Sequence, residues 1–89
     1  MNKIYLFAGL DVHSETITGT IKDEKGNFIR VMKVETSPKG VAKLFERMKR
    51  KNIKAVFEAS RNWPYIVELL KPYCNEIVMA HPLRVRAIA

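Results

Sequence analysis

The sequence holds a single cysteine, Cys74. One thiol excludes an internal disulfide and any cysteine-cluster zinc site, and leaves Cys74 as a small core or subsurface residue. Acids are scarce too: 9 Asp and Glu stand against 16 Lys and Arg, a formal net charge of +7. Long apolar runs are missing. The one near the N-terminus is interrupted by Gly9 and Asp11, so it reads as neither a signal peptide nor a membrane span, and a cytoplasmic location is the default expectation. Internal repeats, low-complexity stretches and long linkers are absent as well. What is present is ordinary globular composition, 47% hydrophobic and 28% charged, which argues against disorder. The 89 residues have room for one domain, 1–89, with one core. The excess of positive charge favours polyanions such as DNA or RNA, because each Lys or Arg that neutralises a phosphate releases a condensed counterion.

Along the chain, Lys3 to Val12 reads as a strand apolar on both faces, suited to the inside of a layered α/β sheet. Thr16 to Lys22 alternates and is rich in β-branched residues, as in a half-exposed strand. Asp23 to Asn27 supplies turn chemistry, with Gly26 free to take positive φ. Phe28 to Glu35 returns as a third strand, completing an antiparallel meander. Ser37 and Pro38 then start a helix. Its apolar stripe is Val41, Leu44, Phe45 and Met48, its end is basic, and Asn52 is a plausible stop. Lys54 to Ala59 is a short strand ending in Glu58. A second helix starts at Pro64 with Ile66, Leu69, Leu70 and Tyr73 on one side. Glu76 to Ala80 is a fifth strand, broken at His81-Pro82. Leu83 to Ala89 reads as a short third helix.

This order predicts a mixed five-stranded sheet, 3-2-1-4-5, with helices on its faces, because strand–helix–strand crossovers wind right-handed. The first and fourth strands then lie side by side, and Asp11 and Glu58 come together at their ends. Two carboxylates so placed suit a hard divalent ion, Mg²⁺ or Mn²⁺, of the kind that assists phosphodiester cleavage. The bland alternative is that each acid merely ends a strand at the solvent edge.

Gly9-Leu10-Asp11-Val12-His13, followed by a meander, resembles the opening of DEDD-type transposases, insertion-sequence recombinases with a ribonuclease-H-like (RuvC-like) N-terminal domain. Phe57-Glu58-Ala59-Ser60, with Trp63 and Tyr65 after it, is similar to that family's second motif. Ala80-His81-Pro82-Leu83-Arg84-Val85-Arg86-Ala87 resembles the approach to its third. The resemblance spans nearly the whole chain. It implies a domain that cuts and joins DNA with divalent metal, in which Asp11 and Glu58 are the first two of four catalytic, metal-holding acids. Members often work with a structured RNA. The last two acids should follow the Arg- and Ala-rich stretch, yet no acid follows Glu76. The expectation is therefore a fragment, incomplete at its C-terminus and inactive by itself.

Other residues carry two readings each. His13 could touch a phosphate or a metal-bound water, or be an ordinary turn histidine. Arg61, Arg84 and Arg86 could bind nucleic-acid phosphates, or be solvated surface. Glu15 reads as a solvated turn acid. Trp63 and Tyr65 could stack on bases, but local core packing is the favoured expectation. Leu83, Val85 and Ile88 have little chain left to cover them, which points to a homo-oligomer. Two alternative functions remain open: a basic nucleic-acid-binding module without chemistry, and an actin- or sugar-kinase-like nucleotide-binding fragment. The second fits poorly, because Val12-His13-Ser14 stands where a glycine-rich phosphate turn belongs.

Overall fold

The structure is a computed structural model and describes residues 5–48, 52–58, 61–81 and 84–87. Its strands are β1 (Leu6–Val12), β2 (Thr16–Asp23), β3 (Phe28–Glu35), β4 (Ile53–Glu58), β5 (Glu76–His81) and β6 (Arg84–Ala87). Helix α1 (Pro38–Leu44) precedes β4, and α2 (Trp63–Leu70) precedes β5. They form one mixed sheet in the order β3-β2-β1-β4-β5-β6. The expected 3-2-1-4-5 order is present, with β2 antiparallel to β1 and β3, and β4 parallel to β1 and β5.

Three expectations need correction. The segment read as a third helix contains a strand: β6 pairs antiparallel with β5, Ala80 opposite Val85 and Met79 opposite Arg86. Arg84, Val85, Arg86 and Ala87 alternate with a period of two, which suits a strand, and the open edge of β5 offers the hydrogen-bond partners. Secondly, the helices do not cover both faces of the sheet. One core joins Leu6, Ala8 and Leu10 of β1, Ile53, Ala55 and Phe57 of β4, and Ile77 and Met79 of β5 to the apolar stripes of α1 and α2. Both helices therefore lie on one face. Consequently β1 is not buried on both sides: Tyr5 and Phe7 are exposed on the other. Thirdly, Trp63 and Tyr65 are exposed rather than packed in the core.

Local chemistry explains the element ends. Asp23 closes the β2–β3 turn by accepting from the backbone N–H groups of Asn27 and Lys25, each at 2.9 Å, while Gly26 takes φ +86°. The Asn27 N–H, then its side-chain amide and the Lys25 N–H, hold the Asp23 carboxyl below its usual value. Ser37 caps α1 by accepting from the Gly40 N–H at 3.0 Å. The helix ends sooner than its apolar stripe: Met48 is buried but lies beyond Leu44, and Arg47 sits at φ +67°. The basic residues 49–51, expected at the helix end, lie outside the described residues. Phe45 and Tyr73 stack with ring centroids 5.5 Å apart, joining the ends of the two helical segments. Cys74 is half-buried against the core, and burial pushes its thiol up to about 12, so it is no nucleophile at neutral pH.

Arg30 on β3 reaches across to α1. One of its guanidinium nitrogens donates to the carbonyls of Leu44 at 2.8 Å and Glu46 at 3.1 Å, satisfying acceptors that a helix C-terminus leaves open. Hydrogen bonds from a charged donor contribute about 1.5–3 kcal/mol. Arg30→Ala is expected to lower stability by that amount, seen as a lower urea midpoint with unchanged slope. A loss below about 0.5 kcal/mol, the scatter of ordinary surface substitutions, would show that these contacts hold nothing together. Among the described residues, no helix is long and apolar enough to cross a membrane.

Candidate metal centre on the open sheet face

The face without helices carries the candidate chemistry. Pairing puts Phe7, Gly9 and Asp11 of β1 on this side, opposite Lys22, Thr20 and Thr18 of β2. On the other flank, Phe7 pairs with Lys54 and Gly9 with Val56. The last β1–β4 pair is Leu10 with Phe57, so Asp11 and Glu58 stand one step further along adjacent parallel strands. Neighbouring strands lie about 4.8 Å apart, within reach of two side chains sharing one ion. Both acids line a single open depression of about 460 Å³, together with Gly9, Thr18, Thr20 and Ala80. Both are exposed to solvent. The sequence-predicted pair is thus brought together.

His13 joins it from one side. Its Nε2 lies 3.2 Å from Asp11 Oδ2, a hydrogen bond in which the protonated nitrogen donates to the carboxylate. The turn that carries His13 is fastened at three points. The His13 N–H donates to Thr16 O at 2.8 Å, the Thr36 hydroxyl to His13 O at 3.2 Å, and the Thr36 N–H to Glu15 O at 2.9 Å. The histidine is therefore placed by the meander, not by the depression it borders. Glu15 is exposed in the same turn, as expected of a solvated turn acid.

Arg61 is exposed in the turn that leads from β4 into α2, three positions after Glu58. Arg84 and Arg86 lie on β6, which is separated from β4 by β5, and their side chains fall outside the described residues. So do Ala59 and Ser60 of the second motif. Sequence reasoning missed Thr18, Thr20 and Gly9 as neighbours of the acids. The alternation of Thr16 to Lys22 put Thr18 and Thr20 on one side of β2. Only the β1–β2 register shows that this side faces the acids.

The donor set suits a hard divalent cation. Carboxylate oxygens are ligands of the right kind for Mg²⁺ or Mn²⁺, and an open depression leaves room for the waters such ions retain. Among the described residues, no three His, Cys, Asp or Glu side chains gather to hold a metal. Two acids would therefore hold one ion loosely. Comparison with protein-family models and with curated proteins found no match.

Proposed function

We propose that this chain is the N-terminal part of a ribonuclease-H-like catalytic domain of the DEDD transposase type, which cuts and joins DNA with divalent metal. One observation carries the reading: Asp11 and Glu58, far apart in sequence, end adjacent parallel strands and line the same depression. The motif resemblance assigns the catalytic role to these two acids. A divalent ion held there would stabilise the negative charge that builds on a phosphodiester as it is cleaved. Asp11 and Glu58 would supply the ligands, His13 hydrogen-bonds the Asp11 carboxylate and would orient it, and Arg61, three positions after Glu58, is the residue that would meet a phosphate. With no acid after Glu76, the chain alone should be a poor nuclease. Binding through its +7 charge should fall linearly with salt on a log–log plot.

The test is a Mn²⁺ titration followed by paramagnetic broadening of amide signals. Mn²⁺ is the better probe because Mg²⁺ gives up its waters reluctantly. Broadening is expected to centre on Asp11 and Glu58 and their strand neighbours. Removing even an outer partner of a metal ligand commonly costs 10–100-fold in affinity, so Asp11→Asn and Glu58→Gln should each weaken Mn²⁺ by about tenfold or more. Broadening centred elsewhere, or unchanged by both substitutions, would overturn the reading.

A further inference from the structure

The hollow that holds the two acids is otherwise poor in polar side chains. Apart from Asp11 and Glu58, only Thr18 and Thr20 bring side-chain polar atoms to it; the rest of the lining is glycine and apolar residues. Both threonines are half-buried on the side of β2 that faces the acids. Register tells them apart. Thr18 stands directly opposite Asp11, whereas Thr20 stands opposite Gly9. Side chains so opposed have Cβ atoms about 5 Å apart, and two residues along a strand add about 7 Å. Thr18 is therefore the neighbour of the acid, and Thr20 is one side chain further from it.

The Thr18 hydroxyl has no hydrogen-bond partner among the described residues. Valine suits a strand as well as threonine does, so the shape of the side chain alone does not call for that hydroxyl. Asp11 is engaged through one oxygen: His13 meets Oδ2, which leaves Oδ1 for an ion. Two carboxylates do not fill the six positions of Mg²⁺ or Mn²⁺, and water takes the rest. Water polarised by a divalent ion is a strong donor and needs an acceptor. Besides the carboxylates, the side-chain acceptor placed beside Asp11 is Thr18 Oγ1.

We infer that Thr18 is a positioning residue of the metal centre: its hydroxyl oxygen accepts a hydrogen bond from a water in the shell of a divalent ion held by Asp11 and Glu58. Outer partners of this kind orient what a metal holds and tune its affinity. The inference rests on the reading that the two acids hold a metal. It needs no free sheet face, because the occupant is a water. The β1–β2 register puts Thr18 beside Asp11 whatever else packs against the sheet.

A Mn²⁺ titration of the whole chain, with manganese alone as the probe, tests it. A neutral hydrogen bond is worth about twofold to tenfold in a binding constant. Thr18→Val, which keeps the shape and loses the hydroxyl, should weaken Mn²⁺ about threefold to tenfold. Thr18→Ala lacks the hydroxyl too and should fall with it. Thr18→Ser keeps the hydroxyl and should bind within about twofold of the parent. Thr20→Val makes the same change opposite Gly9 and should also leave affinity unchanged within about twofold. Water-proton relaxation counts the waters on bound Mn²⁺. The count should be the same for Thr18→Val and the parent, because the hydroxyl holds a water and does not replace one. Thermal melts within a few degrees of the parent confirm that the variants are folded.

Folded Thr18→Val and Thr18→Ala that bind Mn²⁺ as the parent does would overturn the inference. So would Thr18→Ser as weak as Thr18→Val, since the hydroxyl would then not be what matters. A Thr20→Val loss as large as that of Thr18→Val would make the effect one of general polarity, with the same result. One extra water on Mn²⁺ in Thr18→Val would mean that the hydroxyl ligates the ion directly. In each of these cases broadening centred on Asp11 and Glu58 leaves the metal reading standing. Broadening that never centres on the two acids removes that reading, and this inference with it.

Discussion

Replacing Gly40 with alanine is expected to lower the unfolding free energy by about 3 kcal/mol or more. Gly40 is buried in α1 where the helix crosses the end of β3, and a Cβ there would overlap the Glu35 carbonyl. That obstacle is backbone. Glu35 is paired with Thr16 and its carbonyl accepts the Ser37 N–H at 2.9 Å, so it cannot swing aside as a side chain would. Relief requires the helix to lift off the sheet, opening the contact between Leu44 and Gly19 beneath it. A domain of this size has only about 4–13 kcal/mol of stability in total. In a domain of 60–100 residues each kcal/mol lowers the melting temperature by about 4–8 °C, so a fall of at least about 12 °C is expected. Gly9→Ala is the matched control. It meets open space, and restricting the unfolded chain should make it neutral or stabilising by about 0.4–1 kcal/mol. Equal melting temperatures for the two variants would contradict the close approach of α1 to β3.

Phe57→Ala should cost about 3–5 kcal/mol. The ring is 1% exposed and belongs to the core beneath the sheet, while the next residue, Glu58, faces the open side. Phe57 also pairs with Leu10 of β1 and Met79 of β5. Emptying its place loosens the strand that carries one acid without touching either acid. Mn²⁺ affinity should therefore fall along with stability, even at temperatures where the variant is folded. Denaturant midpoints and Mn²⁺ titration at low temperature check both effects. A stability loss below about 1 kcal/mol would mean that Phe57 is not in a close-packed core.

Much of this arrangement was legible from single residues. The third strand, read as Phe28 to Glu35 returning after the Asp23 to Asn27 turn, has those bounds in the structure. The adjacency of Asp11 and Glu58 followed from element order and crossover handedness, with no need for register. The errors share a cause: the sequence states which residues are apolar but not what covers them. Tyr5 and Phe7 looked like core because they are large and apolar, and no local signal says that both helices take the other face. Trp63 and Tyr65 misled in the same way. At Leu83 to Ala89 a short apolar–arginine alternation was read as helix, though the unpaired edge of β5 was available to a strand.

The β1–β4 seam has a kinetic consequence. The meander joins strands that are neighbours in sequence, so its pairings close short loops. The seam instead joins strands with two more strands and a helix threaded between them, and long closures are the slow ones. Asp11 and Glu58 belong to opposite sides of that seam. A chain with its meander complete and its seam open has every residue of the centre and no centre. The two acids meet only when this long-range join is made, so any metal affinity of this chain reports a closed seam and not a hairpin formed before it.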